Sequence, residues 1–327
     1  MKNYFCSIMV LFLFSPWIDS AQQFYSEDGK IKVTIVKNPF SGSRSGPEQS
    51  QGPEVMEREG LKKKLGKWGC RIESTLNVEL TKKQAGQYGV WHRLGLSNGH
   101  LAKMVAESKK KNCFTIGLLS NCNSLMGMLG GLQHSSTSGK PLKVGLVWID
   151  AHGDFNTPET TLSGMLGGMP VAVSAGLCLT RLRLKSGLDP ALPPYYIVMA
   201  GVRDTDPLEQ ELIDRHNIRQ ISVADLRNLS KNLHNQMKNL TRLTDIIYVH
   251  IDMDVLDPRE VMGHSLNVPN GPTSKELARA LTIMFSYPKT AAFGIASYPV
   301  NRDTDKLSLK AAHWLIEGAI QGIKKRK

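Results

Sequence analysis

Six apolar runs of strand length, rich in β-branched residues, alternate with longer amphipathic stretches along this chain. The runs are Ile31–Val36, Phe114–Leu119, Val144–Ile149, Tyr196–Ala200, Ile246–Ile251 and Ala291–Ala296. Candidate helices between them include Pro53–Gly66, Ser124–Gln133, Pro207–His216 and Thr273–Phe285. The last opens with Thr273 or Ser274 as a cap and Glu276 in the first turn. This alternation predicts an α/β fold of three layers, α/β/α, with a mostly parallel sheet covered by helices on both faces. At 327 residues, 41% hydrophobic and 21% charged, the chain is long enough to bury such a core without disulfide staples. No repeat, linker or break in composition divides it, so residues 22–327 are expected to form a single domain.

Ligands of open parallel sheets gather at the carboxyl ends of strands. Directly after Val144–Ile149 stand Asp150, His152 and Asp154, and alternate positions of an extended segment point the same way. After Ile246–Ile251 come Asp252, Asp254 and Asp257. Either cluster alone also reads as turn-forming aspartates. Together they bring four aspartates, Asp150, Asp154, Asp252 and Asp254, and a histidine to one locus, with Asp257 close by in sequence. Clustered carboxylates repel one another unless cations neutralise them. A divalent metal such as manganese suits that donor set.

These motifs resemble those of the ureohydrolase superfamily, the arginases, agmatinases and their relatives. Asp150-Ala151-His152-Gly153-Asp154-Phe155-Asn156-Thr157 is similar to their DAH-x-D-x-N segment, and His250 to Pro258 to their D-x-D-x-x-D-P segment. Gly201-Val202-Arg203-Asp204-Thr205-Asp206-Pro207 resembles G-x-R-D-x-D-P, and Asn38-Pro39 through Gly60-Leu61 the first strand, loop and helix. The similarity runs from about Ile31 to Gly322. It implies a single arginase-like α/β domain holding two Mn2+ ions and hydrolysing a C–N bond of a guanidino or amidino compound through a metal-bridging hydroxide. On that template Asp150 and Asp252 bridge both metals, Asp154 completes one, and His152 and Asp254 the other. Asp154 is carried over as catalytic too. Asn156, Thr161 and Ser163 match positions that hold the substrate's α-carboxylate, and Asp206, with neighbouring Asp204, those near its α-amino group.

Three positions depart from the family pattern. Its G-G-D-H segment corresponds to Ser120-Asn121-Cys122-Asn123-Ser124, which puts Cys122 in the place of a histidine ligand, or Asn123 if the register slips by one. A thiolate is softer than an imidazole and would move metal preference towards iron or zinc. Gly167 occupies the place of a proton-shuttling histidine, so either the leaving group needs less acid assistance or another group such as His264 serves; the alternative for His264 is a loop histidine facing solvent. Ser297 replaces a glutamate that pairs with the substrate's guanidinium. That loss is costly for binding unmodified arginine, and a modified guanidine with a less basic leaving group, such as an N-hydroxyguanidino amino acid, tolerates the missing shuttle. The rival reading is a catalytically silent relative that binds metal or ligand only.

The formal charge is +12, but the excess lies in short clusters, Lys62–Lys64, Lys109–Lys111 and Lys324–Lys327. No aromatic residues interleave with them and no nucleic-acid motif accompanies them, so the expected partner is a small guanidino molecule rather than nucleic acid. Residues 1–21 read as a signal peptide: Lys2, the apolar run Ile8–Phe14, then Ser20 and Ala21. The protein is then expected to be secreted or periplasmic if that segment is cleaved, and otherwise cytoplasmic. No other segment approaches a membrane span, and the short basic C-terminus leaves the oligomeric state open.

Overall fold

A computed structural model of the chain describes residues 24–42, 47–262 and 264–326. The signal-peptide expectation falls on residues 1–21, outside the described residues. Eight strands form one sheet: β1 (Ile31–Asn38), β2 (Cys70–Asn77), β3 (Phe114–Leu119), β4 (Val144–Ile149), β5 (Ile197–Ala200), β6 (Arg219–Ile221), β7 (Ile246–Asp252) and β8 (Thr290–Ala296). Their order is β2-β1-β3-β8-β7-β4-β5-β6, and every pairing is parallel. The sheet is therefore wholly parallel rather than mostly so, the edge strands included.

The four central strands, β3, β8, β7 and β4, are buried at every residue. A strand covered on both faces reads as a continuous apolar run, which is why the sequence marks these four. The pattern marks neither β2 nor β6. β2 lies at one edge with all but one of its residues partly or fully exposed, and β6 is only three residues long at the other.

The helices follow the expected positions with local differences. The expected Pro53–Gly66 helix is broken: Pro47–Met56 and Lys62–Lys67 flank an irregular turn at which Gly60 takes φ 94°. Ser274–Ser286 is capped by Thr273, whose hydroxyl accepts the Glu276 N–H while the Glu276 carboxylate accepts the Thr273 N–H. The longest helix, Val90–Lys110, is weakly marked in the sequence because Ser97, Asn98 and Ser108 share its buried face with Leu94, Leu101 and Val105. Among the described residues no helix is long and apolar enough to cross a membrane.

Strands β7 and β8, last in sequence, insert between β3 and β4. That insertion sets the carboxyl ends of β3, β8, β7 and β4 side by side at the middle of the sheet.

Candidate metal centre

Each of those four strand ends delivers polar residues. Cys122 follows β3, Ser297 follows β8, Asp252 and Asp254 close β7, and Asp150, His152 and Asp154 follow β4. Three groupings of ligand atoms each fall within 4.8 Å: Cys122 with Asp150 and Asp252, Asp150 with His152 and Asp254, and Asp252 with Asp254 and His264. Shared aspartates join these groupings into one buried cluster.

Its internal contacts are close. Cys122 Sγ lies 2.9 Å from Asp252 Oδ2 and 3.9 Å from Asp150 Oδ2. His152 Nδ1 lies 3.2 Å from Asp254 Oδ2 and 3.4 Å from Asp150 Oδ1. Ser297, held at φ 64°, donates its hydroxyl to Asp252 Oδ2 at 2.5 Å. Backbone N–H groups help to orient the carboxylates: His152 N donates to Asp150 Oδ1 and Asp254 N to Asp252 Oδ1. Cys122 and Asn123 face different ways. The Asn123 amide donates to the Ser41 carbonyl, and its N–H to Asn121 Oδ1, which leaves Cys122 facing the cluster.

The electrostatics follow from burial. Asp150 is held well above the usual carboxylate range by burial and then by the charges of Asp254, Asp154 and Asp252. Burial and Asp252 raise Asp154 in the same way. Burial also drives the Cys122 thiol upward, and Asp252 and Asp150 add to it. His152 goes the other way. Burial opposes its charge, yet hydrogen bonds to Asp150 and Asp254 push it up to about 12. Buried carboxyls that resist their negative charge at Asp150, Asp154 and Asp252, with a proton captured on His152, favour a cation at their centre. Carboxylate, imidazole and thiolate donors together fit a divalent transition metal.

Asp154 is buried beside these groupings but belongs to none of the three, its φ of 46° ending the extended alternation of Asp150 and His152. The solvent-facing alternative for His264 does not hold. Its side chain is 9% exposed, with Nε2 3.7 Å from Asp252 Oδ1 and Nδ1 3.7 Å from Asp254 Oδ2. Asp257, by contrast, spends its carboxylate on a two-pronged pairing with Arg259.

The residues matched to substrate binding lie on the loops after β4 and β5. Asn156 is buried; its amide donates to Asp206 Oδ2 at 3.0 Å and its Oδ1 accepts the Thr160 hydroxyl. Thr161 and Ser163 sit at an open turn beside exposed Leu162, whose N–H also donates to Asp206. Asp204 is largely exposed, with Oδ2 3.8 Å from His152 Nε2.

Three supporting groups are not marked by the sequence. Buried Glu209 accepts the N–H groups of Phe155 and Asp206 and so braces the turn after Asp154. Arg203 donates to the carbonyls of Gly201, Val268 and Pro269, fastening the segment that follows His264. His250 lies behind Cys122, its Nε2 3.4 Å from Sγ. Arg203 and His250 stand inside stretches matched to the family, but nothing in the sequence assigns them such a role.

The arginase family model matches residues 31–320. The chain is 27% identical to an arginase of Bacillus caldovelox over 261 residues, covering 77% of this chain and 85% of that protein. It is 28% identical to the mitochondrial arginase-2 of Mus musculus over 257 residues, 75% of this chain and 71% of that one. In structure it resembles the arginase of Bacillus subtilis, with TM-score 0.78 at 22% identity over 88% of this chain and 98% of the other. It also resembles the formimidoylglutamase of Bacillus subtilis, with TM-score 0.71 at 16% identity over 92% and 90%. At those identities the two structures speak for the fold alone.

Proposed function

This chain belongs to the arginase family, and from that premise we propose that it is a metal-dependent hydrolase acting on the C–N bond of a small guanidino compound. The observation that carries the reading is the convergence of Cys122, Asp150, His152, Asp252, Asp254 and His264 on one buried cluster at the middle of the sheet. Cys122, Asp150, His152, Asp252 and Asp254 would hold two divalent ions, with buried Asp154 completing the set. Manganese is the family expectation; the thiol of Cys122 tilts the preference towards iron or zinc. What the metal supplies when bound is a lower pKa for water and a positive field at the attacked carbon.

The chain's own residues do the rest. Asn156 and Asp206, already hydrogen-bonded to each other, offer an anchor for the polar end of an amino acid, with Thr161, Ser163 and Asp204 at the rim. His264 is the group to hold or move a proton. Its Nδ1 accepts the Leu266 N–H, so its Nε2 carries the proton that faces Asp252. Ser297 gives its hydroxyl to Asp252 and brings no charge to a guanidinium. A neutral partner there favours a less basic substrate, and an N-hydroxyguanidino amino acid is the sharper candidate.

The departures at Cys122, Gly167 and Ser297 favour one rival, a silent relative that binds without turning over. Metal-loaded protein offered arginine and its N-hydroxy derivative separates the two readings. Release of urea or N-hydroxyurea, faster from the N-hydroxy compound, is the expected result. Tight binding of both with release of neither would leave the silent relative standing.

A further inference from the structure

Alternate residues of a strand share a face, and on β7 that rule strings Tyr248, His250 and Asp252 into one line from the core to the metal centre. Asp252 belongs to the cluster; the other two hold none of the consensus positions of the D-x-D-x-x-D-P segment. Tyr248 and His250 are nonetheless wholly buried, where an unpaired polar group is costly.

Their contacts run in one direction. The Tyr248 hydroxyl lies 2.8 Å from His250 Nδ1, the only hydrogen-bond partner it has among the described residues. A phenol with one acceptor in reach gives its proton to it, so Nδ1 acts as the acceptor and the ring proton sits on Nε2. That Nε2 lies 3.4 Å from Cys122 Sγ, within reach for a hydrogen bond to sulfur. The ring has little freedom to leave. It stacks on Trp148 with centroids 4.7 Å apart and planes 11° from parallel, and the Trp148 indole N–H donates to the His152 carbonyl. On the neighbouring strand Gly294 is the register partner of His250, and a Cβ there would stand 1.9 Å from the Tyr248 oxygen. The sheet thus leaves open the space that the phenol fills.

We propose that Tyr248 and His250 are the positioning pair of a thiolate ligand: the phenol fixes the imidazole tautomer, and the imidazole N–H holds Cys122 Sγ as an acceptor facing the metal. This rests on the reading of Cys122 as a ligand. It adds the reason why a sulfur can serve at a site otherwise built from carboxylates: a donor aimed at sulfur stabilises its negative charge in a buried place.

Cobalt(II) loaded into the full chain tests the pair, because a thiolate bound to cobalt gives a ligand-to-metal charge-transfer band in the near ultraviolet. The wild type is expected to show the band and Cys122→Ala to lack it. Losing the N–H···S bond raises the energy of the sulfur electrons, so His250→Ala and Tyr248→Phe should move the band to longer wavelength. His250→Gln places an amide N–H where Nε2–H stood and should leave the band near its wild-type position. Tyr248→Phe keeps the ring volume and serves if His250→Ala does not fold. A wild-type band that neither substitution moves overturns the pairing while leaving the thiolate ligand intact. A cobalt-loaded wild type with no band beyond that of Cys122→Ala overturns the thiolate ligand and the pairing with it.

Discussion

Arg203→Ala should loosen the segment after His264 while leaving the sheet intact. The Arg203 guanidinium is tied at one end to the Gly201 carbonyl at 3.0 Å, and at the other to Val268 at 2.8 Å and Pro269 at 2.9 Å. Burial lowers its pKa from the ordinary arginine value, but an arginine stays charged in proteins, so these bonds are charge-assisted. The Val268 bond is partly buried and contributes about 1.5 kcal/mol, and the exposed Pro269 bond about 0.5 kcal/mol. Their loss shifts the closed-to-open equilibrium of the segment by about 2 kcal/mol, or roughly thirty-fold. Amide hydrogen exchange should therefore speed up by roughly that factor over residues 264–271, with the amides of β4 and β7 unchanged. Activity should fall through kcat, because His264 loses its seat while Asn156 and Asp206 do not. Arg203→Lys, a point charge without the planar fork, should recover only part of the protection. Unchanged exchange in this segment, or an equal rise across the sheet, would refute the latch.

Three further outcomes follow from the same geometry. Gly294→Ala drives a methyl group onto the Tyr248 oxygen and should cost about 1–3 kcal/mol, read as a lower urea midpoint at constant m-value; an unchanged midpoint would mean the strands yield easily. At Gly167 the backbone is not left-handed and a Cβ meets no atom within 4 Å. Gly167→His should fold and raise kcat on unmodified arginine by roughly tenfold or more relative to the N-hydroxy compound; an unaltered ratio would show that a missing shuttle does not set the preference. His313 is held at about 4 by burial and by the nearby Lys64 charge. A histidine whose folded pKa lies below its unfolded value contributes stability that is full above about 6.5 and fades as pH falls towards 4. His313→Phe should remove up to about 1.4 kcal/mol per pH unit of that decline, measured by urea unfolding from pH 7 to pH 4. An identical slope in the variant would assign the decline to other groups.

What the sequence discloses follows from how each feature writes itself into a linear pattern. Burial on both faces makes β3, β4, β7 and β8 continuous apolar runs, so the strands that carry the site were legible. Edge strands and a helix with serine and asparagine on its buried face have no such signature. Asp150 with His152, and Asp252 with Asp254, were legible because each pair spans two residues of one strand end. His264 could be named as a candidate but not placed, because only the fold carries its loop back over Asp252, and nothing local separates an inward histidine from an exposed one. Tyr248, His250 and Cys122 join two strands that lie far apart in sequence, and their pairing is visible only across the sheet. Asp154 was legible as a third acidic residue of the same strand end, but its left-handed φ, which sets it off from the alternation of Asp150 and His152, was not.

A two-metal site with a thiolate in its ligand set can be counted. Metal content per chain, by elemental analysis of wild type and Cys122→Ala after reloading with manganese, should be two in the wild type and fall towards one in the variant. Less than one metal per chain in reloaded wild type would contradict such a site and make the silent relative the better description.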